Sequence, residues 1–229
     1  SGGFEHEVPE ITHRECEDNF YAGYERFLRD QLWRHGLGDD TVFEPWLTVG
    51  ARFKCDGWGL DGSTEMDHEG LSFKTTHYPL ASLDDIEKMR APWHEVDEPA
   101  TAEMFEKLHD AVGAIIPIDL DRTTCYRNWM VDLSSDLGAM RGIEHFMLDM
   151  MDEPEKLHRL MAFMRDGVLK VQQEAEDAGD YGLSSHFNLS MPYAEGLPDP
   201  AANARGVKRS DLWNFTAAQE FTLVSAMHD

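Results

Sequence analysis

The stretch that decides the fold of this chain is Trp129-Met-Val-Asp-Leu-Ser-Ser-Asp-Leu-Gly-Ala-Met-Arg-Gly-Ile-Glu144. Its residues favour a helix that leads through Arg141-Gly142 into a second helix, and Pro154 is placed to begin a third. Apolar residues continue at helical spacing from Leu157 to Val171, and Gly179 is placed to end this third helix. The sequence therefore predicts three consecutive helices, of which the third is the longest.

Short apolar runs on either side of this stretch have the composition of buried parallel strands. The predicted strands cover residues 42–49, 114–119, 182–189 and 212–216, and residues 70–80 are predicted to form an edge strand or a hairpin. Strands that are separated by helical segments of this length indicate βαβ units around a parallel sheet.

Further helices are predicted at about 17–35, 82–90 and 101–112, and Gly36 is placed to end the first of them. In the long third helix of the middle stretch, Gly167 is expected to lower helix stability by about 1 kcal/mol relative to Ala. About five strands are predicted where a complete barrel needs eight. We therefore expect an incomplete (β/α)8 barrel of the TIM-barrel type. A doubly wound open sheet is the alternative, although no Gly-rich phosphate loop follows any predicted strand.

The predicted organisation is an N-terminal helical segment, residues 1–40, followed by a partial β/α barrel, residues 41–229. Parallel strands without closure leave an apolar edge and an uncovered face. Three outcomes follow for such a chain: it forms a homodimer through that edge, it swaps elements, or it is a portion of a longer polypeptide. Of these, the last is the one we expect.

The chain is strongly acidic, with 44 acidic against 20 basic residues and a formal net charge of -24. Phosphate binding needs basic surfaces, so this charge argues against nucleic acid and anionic membranes as partners. The sequence shows neither a membrane-spanning apolar run nor a signal peptide, and we expect a cytoplasmic protein. Cys16, Cys55 and Cys125 are far apart and lack metal or redox spacing, which predicts small core residues rather than a disulfide framework.

Several segments between about residue 15 and residue 229 resemble the uroporphyrinogen decarboxylase superfamily. They are the stretch at 129–158, Glu44-Pro45, Gly57-Trp-Gly-Leu60, Leu83-Asp-Asp-Ile-Glu-Lys-Met89, residues 105–118, Leu197-Pro198 and Asp211-Leu-Trp213. The resemblance is nearer to the uncharacterised and corrinoid-dependent methyltransferase branch than to the decarboxylase itself. The decarboxylase carries an Arg-Gln-Ala-Gly-Arg segment that binds its substrate, and this chain has Val49-Gly-Ala-Arg52 instead.

This resemblance implies an enzyme that transfers the methyl group of a small methylated compound with the help of a corrinoid such as methylcobalamin. It also implies Zn²⁺ with ligands outside this chain, and a corrinoid protein as a partner beside the small-molecule substrate. Two alternatives stay open. One is a noncatalytic barrel that binds a small molecule, and the less favoured one is a porphyrinogen decarboxylase.

The carboxyl ends of barrel strands carry the chemistry, and this rule selects Glu44, Asp119 and His186 as candidate catalytic residues. Glu44 falls within the first predicted strand, where a buried carboxylate needs either a structural partner or a catalytic task. Asp119 and Asp121 lie at the end of the predicted strand 114–119. Either one suits a general base or a ligand, and a helix-capping or loop role is the alternative. His186 and the candidate cofactor-binding residue Asn188 share one side of a predicted strand, where they suit a metal, a corrinoid substituent or a structural hydrogen bond.

The other candidate cofactor-binding residues are Trp129, Asp132 and Asn214. Trp129 suits either an apolar wall of a site or core packing. Asp132 precedes a helix whose N-terminus suits an anion or the edge of a cofactor, and helix capping is the alternative. Asn214 lies on the last predicted strand. Arg141 and Glu144 are three residues apart, a spacing that predicts a structural ion pair.

Overall fold

The computed structural model of the protein describes residues 8–38, 42–60, 63–66, 73–127, 131, 133–185 and 195–212. Within these ranges helices dominate, and the parallel sheet has two strands. The prediction of an incomplete (β/α)8 barrel with about five βα units is therefore wrong. The described residues form one βαβ unit, one antiparallel hairpin and a layer of helices.

The helices of the described residues are α1 (Pro9–Thr12), α2 (Asn19–Leu37), α3 (Glu98–Val112), α4 (Leu133–Arg141), α5 (Ile143–Asp152) and α6 (Pro154–Asp177). The strands are β1 (Leu47–Gly50), β2 (Ser63–Met66), β3 (Phe73–His77) and β4 (Ile118–Asp121). Short 3-10 turns cover Leu83–Lys88, Leu183–Ser185 and Arg209–Asp211. The helices predicted at 17–35, at 101–112 and over the middle of the chain are confirmed, whereas 82–90 contains a 3-10 turn.

The βαβ unit consists of β1, α3 and β4. The two strands pair in parallel, beginning with Leu47 opposite Ile118. α3 makes the crossover between them, and Asp97 caps its start by accepting a hydrogen bond from the N–H of Ala100. Because parallel strands run in the same direction, the carboxyl ends of β1 and β4 lie side by side.

Two of the predicted strands, at 42–49 and 182–189, differ from the structure, and both differences have the same physical reason. Residues 42–49 form a strand only from Leu47 onward, and residues 182–189 begin with the 3-10 turn Leu183–Ser185. The remainder of 182–189 and nearly all of 212–216 lie outside the described residues. A short apolar run suits a buried turn as well as a strand, so its composition alone does not separate the two.

The parallel pair has one apolar and one polar face. Leu47, Val49 and Ile118 point to the apolar face, where they form a core with Leu108 of α3. Tyr24 of α2 packs against this core, so α2 covers the same face as α3. The other face carries the intervening residues of both strands and is left to polar side chains.

A second core lies between the helices α4, α5 and α6 and the loops that precede them. Its most buried members include Leu80, Leu137, Leu160 and Met164. Gly142 makes the turn between α4 and α5 with a φ of 84°, a conformation that favours glycine. The prediction of three consecutive helices is thus confirmed. The positive φ explains why a glycine lies between the first two.

The ends of the two longest helices are also marked by glycines. Gly179 follows α6 with a φ of 73°, at the position where the sequence predicts the end of that helix. α2 continues to Leu37 and is capped by Gly38 with a φ of 70°, so the prediction that Gly36 ends it is wrong. The left-handed cap falls on the glycine that follows the last apolar residue.

Arg141 forms an ion pair with Asp149, not with Glu144 as the spacing predicted. Its guanidinium makes two hydrogen bonds of 2.9 Å to the Asp149 carboxylate. The side chains are only 10% and 7% exposed, so this is a buried pair that joins α4 to α5. Glu144 lies on the exposed side of α5.

β2 and β3 pair antiparallel. Residues 70–80 thus contain one strand, β3, which confirms the predicted strand, whereas its partner β2 lies before the predicted range. The register of the pairing shifts between Ser63 and Thr64.

Candidate functional site

The polar face of the parallel pair carries two carboxylates near the end of β4. Asp119 and Asp121 lie two residues apart, so their side chains project from the same face. Their partners across the ladder are Thr48 and Gly50 of β1, which are both exposed. A Cβ placed on Gly50 would meet no atom of the described residues within 4 Å. The described residues therefore leave the β1 side of this face uncovered.

Asp121 is held by an arginine and by a backbone turn. One of its oxygens accepts a hydrogen bond from the N–H of Thr123 at 3.0 Å, and the other pairs with the guanidinium of Arg127. Burial acts to raise the pKa of this carboxyl, but the Arg127 charge and the hydrogen bonds outweigh burial and lower the pKa of Asp121. Asp121 is therefore an anion at neutral pH.

Asp119 is fully buried, at 0% exposure, and only partly hydrogen-bonded. Its Oδ1 accepts a hydrogen bond from the backbone N–H of Asn203 at 2.6 Å and lies 3.8 Å from Nη1 of Arg205. Its Oδ2 has no hydrogen-bond partner within the described part of the chain. A buried carboxylate oxygen without a partner costs free energy, so Oδ2 is an unsatisfied acceptor within the described part of the chain.

Arg205 lies beside Asp119, and Gly182 and Ser184 lie next to Arg205. Arg205 donates a hydrogen bond to the carbonyl of Leu120 and thus covers the outer edge of β4. Gly182 leaves room for this arginine, since a Cβ on Gly182 would lie 2.8 Å from Nη1 of Arg205. The same Cβ position is 3.6 Å from Oγ of Ser184, a buried hydroxyl without a partner among the described residues.

A chain of charged side chains runs from the end of β4 to the segment after α6. Arg122 makes two hydrogen bonds to Glu98, of 2.6 and 2.8 Å, and one of 2.6 Å from Nε to Asp180. The other oxygen of Asp180 lies 2.8 Å from Nε2 of His94. The His94 side chain is 3% exposed, and its Nδ1 has no partner in the described ranges. This chain fixes the loops around the polar face.

The polar face thus offers both donors and acceptors. The buried atoms Arg127 Nη1, Asp119 Oδ2 and Ser184 Oγ have no partner among the described residues. The first is a donor, the second is an acceptor, and the hydroxyl can act as either. The carboxylates of Asp119 and Asp121 are matched by the guanidiniums of Arg127 and Arg205. The site is therefore close to electrically balanced, although the chain has a net charge of -24.

Glu44 is not part of this site. β1 begins at Leu47, so Glu44 precedes the strand and lies at its amino end, whereas the polar site is at the carboxyl end. Glu44 is half-buried and has an interaction partner of its own. The sequence predicts a continuous strand over residues 42–49, which would include Glu44, but the strand begins only at Leu47.

Of the other predicted site residues, Asp119 lies in the site, on β4 itself. The predicted residues that fall outside the described part of the chain are His186, Asn188, Trp129, Asp132 and Asn214. Their roles stay predictions.

Four charged residues of the site were missed, namely Arg122, Arg127, Asp180 and Arg205. Arg122 carried a signal, because it directly follows the end of a strand that bears two aspartates. The contact between Arg122 and Asp180 spans 58 residues. No local pattern marks a contact over such a separation.

An apolar cavity of about 590 Å³ lies apart from the polar site, between α2, α3 and β1. Leu28, Leu32, Leu47 and Leu108 are among the residues that line it. Its volume is in the range of small-molecule sites. Glu25 and Arg29 also line it, but most of its exposed surface is apolar, so we place the candidate site on the polar face.

Among the described residues, no group of three or more His, Cys, Asp or Glu side chains is arranged to hold a metal ion. None of the helices in the described ranges is long and apolar enough to cross a membrane.

No family model, no curated protein and no solved structure matches this chain. The resemblance to the uroporphyrinogen decarboxylase superfamily stays a prediction from the segments quoted above.

Proposed function

We propose that this chain binds a small zwitterionic amino acid, or a closely similar amino-carboxylate, on the polar face of β1 and β4. One observation carries the proposal: Asp119 Oδ2, Arg127 Nη1 and Ser184 Oγ are buried without hydrogen-bond partners among the described residues. Buried polar groups in proteins are nearly always hydrogen-bonded, so these exceptions favour a ligand that supplies the partners.

The types of these atoms select the ligand class. An ammonium group donates to Asp119 Oδ2, while a carboxylate accepts from Arg127 Nη1 and from the Ser184 hydroxyl. Hydrogen bonds between charged groups are stronger than neutral ones. Because Asp119 and Asp121 are already balanced by Arg127 and Arg205, a ligand without net charge adds no unpaired charge to the buried site.

The position of the site supports the same function. Ligands of sheets with parallel strands bind outside the carboxyl ends of the strands. Thr48 and Gly50 of β1 are exposed beside the two aspartates. We propose that the ligand approaches from this side.

The test is a thermal-unfolding titration with glycine, serine and N-methylglycine, for the wild type and for Asp119→Asn. A ligand that binds only the folded state raises the unfolding temperature by mass action. We expect a concentration-dependent rise in the wild type and none in Asp119→Asn. The matched control is Asp110→Asn on the exposed side of α3, which should keep the rise.

Internal water is the competing explanation for the unpartnered atoms. It predicts that no compound of the panel raises the unfolding temperature and that native mass spectrometry of the purified chain finds no retained molecule. That pair of results would reject the proposal. If Asp119→Asn does not fold, Ser184→Ala provides the comparison, since it removes one hydrogen bond to the ligand without removing a charge.

Corrinoid-dependent methyl transfer is the reaction that the resemblance attaches to this chain, and it stays a prediction. A methylated amino acid is a small methylated compound that meets the hydrogen-bonding demands of the polar face. The candidate cofactor-binding residues, however, lie outside the described ranges. A spectral titration with methylcobalamin, with and without a thiol, tests this reaction, and a spectrum unchanged under both conditions would count against it.

A further inference from the structure

Two thiols that are far apart in the sequence meet at the edge of the core that α4, α5 and α6 build. Cys55 lies in the segment after β1, and Cys125 lies in the segment after β4. Both are half-buried free thiols that pack against the core containing Trp58 and Tyr126. Because β1 and β4 are paired in parallel, the sheet itself brings the two segments side by side.

The contact between these segments is close. Both thiols pack against the same core, and Cys55 is near enough to Cys125 to contribute to the raised pKa of the Cys125 thiol. The rings of Trp58 and Tyr126 meet edge to face with their centroids 5.9 Å apart, and a Cβ placed on Gly57 would lie 3.5 Å from Oη of Tyr126. These contacts hold the segments that carry the two thiols side by side, as an internal disulfide requires.

We propose that Cys55 and Cys125 are a modification site, at which a low-molecular-weight disulfide such as glutathione disulfide converts the pair into an intramolecular disulfide. The thiolate of Cys55 attacks one sulfur of glutathione disulfide, which forms a mixed disulfide and releases one glutathione thiolate. Cys125 loses its proton to solvent and attacks the Cys55 sulfur, which closes the protein disulfide and releases the second glutathione thiolate. The two protein thiols lose two electrons and two protons, and glutathione disulfide is reduced to two molecules of glutathione.

The environment of Cys125 suits it to the second step. Burial, followed by the neighbouring Cys55, raises the pKa of the Cys125 thiol to about 11. The thiolate is the attacking species, so a protonated Cys125 does not begin the exchange at neutral pH. Once Cys55 carries glutathione, Cys125 is the thiol on the neighbouring segment that can attack it.

Cys16 provides a matched control within the same chain. It precedes α2, where its backbone N–H donates a hydrogen bond to Glu25. The sequence has three cysteines, so oxidation of the proposed pair leaves Cys16 as the remaining thiol.

The test incubates the full chain with glutathione disulfide and measures its intact mass under denaturing conditions. We expect the wild type to lose two hydrogen atoms without retaining glutathione at either member of the pair. Digestion without reduction should then give one linked product that contains Cys55 and Cys125. Cys16→Ser should behave as the wild type does, while Cys55→Ser and Cys125→Ser should form no internal disulfide.

Three results would overturn the proposal: glutathione retained separately on Cys55 and Cys125, chains linked to each other through these residues, or a wild type that keeps all its thiols. The mass of the wild type decides among these outcomes, so the test holds even where a variant does not fold. It involves no amino-acid ligand, and its result is independent of the function proposed for the polar face.

Discussion

At the scale of single residues, buried charges in this chain are stabilised by specific partners. Arg141 shows this most clearly, since it pairs with Asp149 and also donates hydrogen bonds to the carbonyls of Leu80 and Ala81. One guanidinium thus joins α4, α5 and the loop that precedes them. Removing one partner of such a pair leaves the other charge buried without compensation.

Arg141→Met should therefore lower the free energy of unfolding by about 3–5 kcal/mol, because Asp149 loses its counter-charge. The double variant Arg141→Met with Asp149→Leu should recover much of that loss, since it removes both charges. Urea unfolding of Arg141→Met, of Asp149→Leu and of the double variant measures these effects. A double variant whose loss equals the sum of the two single losses would contradict this account of the pair.

The lowered pKa of Asp121 predicts how the free energy of unfolding depends on pH. Its pKa is lower in the folded protein than in an unfolded chain, so the Asp121–Arg127 pair stabilises the fold above the ordinary pKa of an aspartate, about 4. This stabilisation is lost as the pH falls through the lowered folded pKa. Urea unfolding of the wild type and Asp121→Asn between pH 7 and pH 3 checks it. The difference in stability should shrink with falling pH, and a constant difference would show that the carboxylate charge of Asp121 is not involved.

At the scale of elements, close packing explains why a glycine occupies a helix position that local propensity alone would give to another residue. Gly167 lies in the middle of α6, where the sequence predicts a loss of about 1 kcal/mol relative to Ala. A Cβ at this position would lie 2.8 Å from the ring of Trp58 and 3.1 Å from Cδ of Pro92. The absence of a side chain lets α6 approach the loop that carries Trp58.

Gly167→Ala should therefore destabilise the protein, because overpacking costs about 1–3 kcal/mol and outweighs the gain in helix propensity. Gly23→Ala in α2 is the matched control, since a Cβ on Gly23 meets none of the described atoms within 4 Å. That substitution should stabilise the protein by up to about 1 kcal/mol. Urea unfolding compares the two, and a stabilising Gly167→Ala would contradict the packing described for α6.

The sequence predicts the helices of this chain better than its strands. The apolar stripe from Leu157 to Val171 spans several helical turns, so its period distinguishes a helix from a strand and identifies α6. β4 has only four residues, and two of them are aspartates, which strands disfavour. These aspartates are stabilised by Arg127 and Arg205, and such contacts are set by the fold rather than by a local pattern.

At the scale of the whole molecule, the net charge of -24 opposes the compact state through self-repulsion. Salt screens this repulsion beyond about 10 Å at 0.1 M ionic strength. We therefore expect the unfolding temperature to rise between 20 mM and 500 mM sodium chloride. Circular dichroism at the two salt concentrations checks the sign, and a fall in the unfolding temperature would mean that attractive ion pairs outweigh the net repulsion.

The central claim is that the polar face of β1 and β4 binds a small amino-carboxylate through Asp119. Ligand-observed saturation-transfer NMR with serine and N-methylglycine tests it most directly, because it detects weak binding without requiring a reaction. We predict transfer to the ligand for the wild type and for Asp110→Asn, and its loss for Asp119→Asn. Equal transfer in all three proteins, or none in the wild type, would contradict the account.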